Sequence, residues 1–176
     1  MRYVAIVRHG DYKADGTLKQ VSTVRLSRAA EFLADRVQAP VRIACSVQAR
    51  AKNSADILAG RLIPIGIDYY DELATGRDAP IKKYARGDME AVHVIVEHSA
   101  DDAQTVVLVT HYEVCNHYPD FYIERVFGAG SASRPMRRSE ALIIDSETGD
   151  CELLESEGFV LSWNSVSGDG LERIRY

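Results

Sequence analysis

The sequence predicts an α/β fold, a three-layer α/β/α sandwich around a mostly parallel central sheet. Short, largely apolar runs at 3–7, 41–45 and 105–110 read as strands buried on both faces. Stretches whose apolar residues recur at helical spacing lie between these runs. Glycine and proline punctuate the junctions.

The first strand, 3–7, stops at Gly10, and the polar stretch 11–19 contains the turn signal Asp15-Gly16. Ser22 precedes Val24, Leu26, Ala29, Ala30, Leu33 and Val37, a helical pattern that Pro40 closes. Residues 41–45 form the second strand. A helix over about 47–62 follows, with Ser46 as N-cap and Ala51, Ser54, Ala55, Leu58 and Leu62 on one face. Residues 63–70 read as extended, interrupted by Pro64 and Gly66. A loop through Thr75, Gly76 and Pro80 leads to a helix over 89–98, with Gly87-Asp88 at its start. The strand 105–110 carries Val106, Val107, Leu108 and Val109 in succession. A helix is expected near 120–127, ended by Gly128 and Gly130. Residues 141–145 and 151–155 form a hairpin around Thr148-Gly149, and 158–176 shows little periodicity.

A length of 176 residues suits one domain spanning 1–176, and an apolar share of 46% suits a sizeable core. Lys and Arg total 21 against 26 Asp and Glu, so the net charge is -5. That balance disfavours nucleic acid and anionic membranes as partners, since both ask for a basic face. Cys45, Cys115 and Cys151 are too few and scattered for a disulfide framework. With no signal peptide and no apolar run long enough to span a bilayer, a cytoplasmic location is expected.

In parallel α/β sheets ligands bind beyond the carboxyl ends of the strands. Arg8 and His9 follow the first strand there, and His111 follows the strand 105–110. Arginine offers a fork of donors to phosphate oxygens, and a neutral histidine has a ring nitrogen that can attack phosphorus. Four pieces stand in order: Arg8-His9-Gly10, Arg50 in Ser46-Val47-Gln48-Ala49-Arg50-Ala51, Glu72 in Glu72-Leu73-Ala74-Thr75-Gly76, and Thr110-His111. This ordered set resembles the histidine phosphatase superfamily, which has the phosphoglycerate-mutase-like fold. The short chain and Arg-His-Gly-Asp are most like its compact phosphohistidine-phosphatase-like members.

The resemblance implies a metal-independent phosphatase with no cofactor, acting on a phosphorylated small molecule or phosphoprotein. His9 would be the nucleophile that becomes phosphohistidine. Arg8, Arg50 and His111 would bind the phosphoryl oxygens, and Glu72 would protonate the leaving oxygen. Two features depart from the pattern. Tyr112-Glu113 follows the late histidine where many members have glycine, which makes Glu113 a rival acid. The loop Asp11-Tyr12-Lys13-Ala14-Asp15 differs from the family's usual threonine- and glutamine-containing stretch. A phosphoglycerate-mutase-type phosphotransferase and a non-catalytic phosphate-binding module are the alternatives.

Other candidates have plainer readings. His93 and His98 read as partly exposed packing residues of a helix, and Tyr112, Tyr118, Phe121 and Tyr122 as aromatics packing a helix on the sheet. His111 and His117 are not at helical metal-pair spacing, so no zinc site is expected. Arg134, Arg137 and Arg138 read as a solvated loop.

Overall fold

Alternate residues of the first strand, β1 (Tyr3–Arg8), bury into opposite layers: Val4 and Ile6 on one side, Ala5 and Val7 on the other. Neither face is polar, so helices must cover both. The structure is a computed structural model that describes residues 1–75 and 89–176. The expected loop through Gly76 and Pro80, and the Gly87-Asp88 helix start, lie outside the described residues.

Helices α1 (Gln20–Ala34) and α2 (Ala49–Leu62) cover one face, burying Leu26, Phe32, Leu33, Ala55 and Leu58 beside Val107 and Val109. The other face is covered by α3 (Met89–Ser99) and α4 (Tyr112–Phe127), which bury Val92, Val96, Tyr118 and Ile123 beside Val106 and Leu108. Between them lie β2 (Val41–Ser46), β3 (Gly66–Tyr70), β4 (Thr105–Thr110), β5 (Ala141–Asp145), β6 (Asp150–Leu154), β7 (Phe159–Asn164) and β8 (Glu172–Arg175). The sheet order is β3-β2-β4-β1-β5-β6-β7-β8. The three-layer arrangement is as the sequence predicts. The sheet itself is mixed rather than mostly parallel. The three pairings within β3-β2-β4-β1 are parallel and the four from β1 through β5, β6 and β7 to β8 are antiparallel. The reason is that the chain after β5 returns by short hairpin turns instead of helical crossovers.

Several local expectations are corrected. Helix α4 begins at Tyr112 rather than near 120 and carries Pro119 in its interior. Proline removes one helix hydrogen bond there, and burial of Tyr118, Tyr122 and Ile123 on the core face offsets the loss. Ser46 belongs to β2, and Gln48 stands at the N-cap of α2. Ser22 lies inside α1 instead of before it. The aperiodic tail forms β7 and β8, whose pairing comes from the antiparallel half of the sheet. Gly128, at φ 79°, ends α4 as expected, in the left-handed conformation that glycine adopts without strain.

Candidate active site

Strand register builds the site. Arg8 pairs with Thr110 across the parallel β1–β4 ladder, so the next residues, His9 and His111, emerge side by side. Their ring centroids are 4.7 Å apart, and both are buried. The His9 amide donates to the Thr110 carbonyl at 3.0 Å, which continues the ladder one residue past β1.

The chain then turns sharply at Gly10. A Cβ on Gly10 would stand 2.7 Å from the Ser22 Cβ and 3.1 Å from side-chain carbons of Leu18 and Leu26. The Gly10 amide donates to Ser54 Oγ on α2 (3.1 Å), and the Asp11 amide to Ser22 Oγ on α1 (2.7 Å). Two serines that look like ordinary helix polar residues thus latch the loop carrying His9 to the layer beneath.

His9 Nδ1 donates to the Gly10 carbonyl at 2.7 Å, leaving Nε2 as the unprotonated nitrogen. Arg50, in the first turn of α2, directs its Nε–H at both His9 Nε2 and His111 Nδ1, each at 3.3 Å. With Nδ1 accepting, the neutral His111 ring carries its proton on Nε2, which lies 2.9 Å from Ser46 Oγ. Burial pushes His9 down from 6.5 to about 4, helped by the positive charges of Arg50, Arg138 and Arg8. His111 falls to about 2, chiefly through burial, with the His9, Arg50 and Arg8 charges adding to it. Both rings are neutral at neutral pH.

Arg8 donates Nη1 to the Met136 carbonyl at 2.6 Å, and its guanidinium lies 4.8 Å from the Tyr112 ring centre. Tyr12 faces His9 with ring centres 5.8 Å apart and carries Arg50 and Arg138 at 5.0 and 5.6 Å. Arg138 also pairs with Asp11.

The structure therefore brings together Arg8, His9, Arg50 and His111. Glu72 is exposed in the 3₁₀ turn Asp71–Leu73 and makes no hydrogen bond or ion pair to His9, Arg50 or His111. The hydrogen bond from Thr110 Oγ1 to the Leu73 carbonyl (3.0 Å) ties that turn to the end of β4. Glu113, in the first turn of α4, is half-buried, and its buried Oε2 makes no hydrogen bond. Sequence reasoning missed Arg138, Tyr12 and the partnership of Ser46 with His111. Arg138 was expected in a solvated loop; only folding carries it to Asp11, 127 positions away. Of the two helix histidines read as packing residues, His93 is buried, with Nδ1 3.1 Å from the Tyr118 hydroxyl, whereas His98 is exposed near the helix end. Among the described residues no group of His, Cys, Asp and Glu could hold a metal ion, and no helix is long and apolar enough to cross a membrane.

The fold is the phosphoglycerate-mutase-like one found in histidine phosphatases. The protein histidine phosphatase SixA complexed with tungstate is similar at 15% identity and TM-score 0.55, covering 93% of this chain and 96% of that one. A mycobacterial glucosyl-3-phosphoglycerate phosphatase complexed with VO3 is similar at 18% identity and TM-score 0.56, covering 82% and 91%. YhfR of Bacillus stearothermophilus is similar at 17% identity and TM-score 0.55, covering 81% and 90%. No family model matches the sequence, and no curated protein matches it.

Proposed function

We propose that this protein is a metal-independent phosphatase that hydrolyses a phosphomonoester or phosphohistidine through a phosphohistidine intermediate on His9. The observation that carries this reading is the neutral, buried His9 Nε2 set beside Arg50 at the carboxyl edge of the parallel strands. Phosphatases of the same fold, solved with tungstate and VO3, support it as a likeness of architecture.

Substrate phosphate oxygens take over the Arg50 Nε–H now shared by the two histidines, which frees the His9 lone pair for attack. Arg8 and Arg50 hold the equatorial oxygens and stabilise charge in the transition state. The phosphoryl dianion favours protonation of neighbouring His111, which turns its Nδ1 from acceptor into donor. The P–O bond breaks as Nε2 bonds to phosphorus, and the leaving oxygen takes a proton from a carboxylic acid. Water then attacks phospho-His9, giving up a proton to the same carboxylate and releasing phosphate.

Glu72 is the sequence-based choice for that acid. Glu113 competes because its buried, unpartnered oxygen leaves a bonding position for a leaving-group oxygen. Gln variants separate the two on substrates with different leaving groups. Losing the acid lowers turnover of an alkyl phosphate by roughly 10²-fold or more, with little effect on 4-nitrophenyl phosphate. If neither Glu72→Gln nor Glu113→Gln shows this split, leaving-group protonation by a carboxylate is wrong.

The deciding experiment is hydrolysis of 4-nitrophenyl phosphate by the purified protein with a chelator present. Turnover that vanishes in folded His9→Ala, together with acid-quenched phosphohistidine on the wild type, is the expected result. Turnover retained by His9→Ala rejects the mechanism.

A further inference from the structure

We propose that the substrate carries a second anionic group besides the phosphate attacked by His9, and that Arg25, Arg137 and Arg138 hold it. This rests on the phosphate site proposed above. A cavity of about 360 Å³ has Arg8, Arg25, Arg137 and Arg138 in its wall, with Asp11 and Glu157 as the facing carboxylates. That volume lies within the range of small-molecule sites, about 300–1,000 Å³. His9, Arg50 and His111 do not line it, so the cavity adjoins the proposed phosphate position and shares only Arg8 with it.

The wall has four guanidinium groups against two carboxylates, in a chain whose net charge is -5. Both carboxylates are already engaged, Asp11 with Arg138 and Glu157 with Arg137. Arg25, half-buried on α1, makes no ion pair among the described residues. It lines the same cavity as both carboxylates, and its charge helps to hold each of them below the usual carboxylate range. Arg138 Nε is buried without a hydrogen-bond partner, whereas Arg8 is already assigned to the attacked phosphate. Unfilled buried donors are costly, and an anionic oxygen is the partner that guanidinium geometry suits best. The cavity is therefore a cationic chamber whose uncompensated charge fits a carboxylate or a second phosphate on a small phosphorylated compound.

The test compares simple alkyl phosphates with the same compounds bearing an ω-carboxylate or an ω-phosphate, over spacers of two to six carbons. In the wild type at least one anionic-tailed series should show kcat/KM raised by about tenfold or more. Arg25→Gln and Arg137→Gln should each bring that ratio toward unity while leaving the neutral-tailed substrate unchanged. The larger of the two ratios identifies the tail. No preference at any spacer, or a preference surviving both substitutions, overturns the proposal. If the wild type cleaves no phosphate ester at all, the phosphatase reading has failed. Calorimetric binding of the same compounds then decides this inference alone, with equal affinity for neutral and anionic tails counting against it. Because Arg25 and Arg137 lie on different elements, a folding defect in one variant leaves the other to decide.

Discussion

His9 is neutral at working pH because burial, with Arg50, Arg138 and Arg8 nearby, makes its cation costly. Histidine-ring NMR of the ligand-free protein should show this residue titrating near pH 4. In Arg50→Gln the titration should move upward yet stay below 6.5, since burial is the larger cause. On the proposed mechanism the same substitution removes one donor to the transition-state oxygens and should lower turnover roughly 10²–10³-fold. The lowered value also bears on stability. Between pH 6.5 and about 4 the unfolded chain binds a proton at this histidine that the folded protein refuses. The contribution is full above pH 6.5 and lost as pH falls, ~3 kcal/mol by pH 4. Urea unfolding at a series of pH values should show this slope reduced in His9→Asn. An unchanged slope would show that His9 is not the group responsible.

The elements deliver these residues through their ends. Gly10 leaves β1 where no side chain fits, so Gly10→Ala should destabilise the protein by about 1–3 kcal/mol in denaturant unfolding. Ser46, at the end of β2, meets the His111 ring at the end of β4. Ser46→Ala should leave a buried ring N–H without its partner, costing about 1–3 kcal/mol. On the proposed mechanism Ser46 acts through His111 rather than on substrate, so kcat should fall more than KM rises. Equal loss in both would assign it to binding. The buried face of α2, Ala51 to Leu62, was legible from spacing alone because a helix repeats every few residues. The start of α4 was not, because Pro119 signals a break that core burial of its neighbours overrides.

At the scale of the whole molecule, the parallel half of the sheet carries the proposed chemistry and the antiparallel half braces it. Glu140, buried ahead of β5, accepts from the Arg137 and Ser156 amides at 2.6 and 2.9 Å, tying the arginine loop to the β6–β7 turn. The last strand, β8, is exposed along its length, and Tyr176 beyond it packs edge-on against Phe32 and donates to Asp35 at 2.9 Å. Deleting residues 171–176 should lower Tm by about 2–8 °C, equivalent to ~1–2 kcal/mol, and leave turnover intact. Lost turnover would instead make this edge part of the support for the site.

The layers, the central strands and the meeting of Arg8-His9 with His111 at one sheet edge are readable in the chain before it folds. Each of those is written in contiguous residues, as an apolar run, a helical period or a strand end. Folding alone brings Arg138 to Asp11 and Tyr12 and Ser46 to His111, and turns Glu72 to solvent while burying one oxygen of Glu113. Folding likewise continues the sheet through the tail as β7 and β8. Those contacts join residues far apart in the chain, and their geometry comes from strand register and loop path, which no local periodicity encodes.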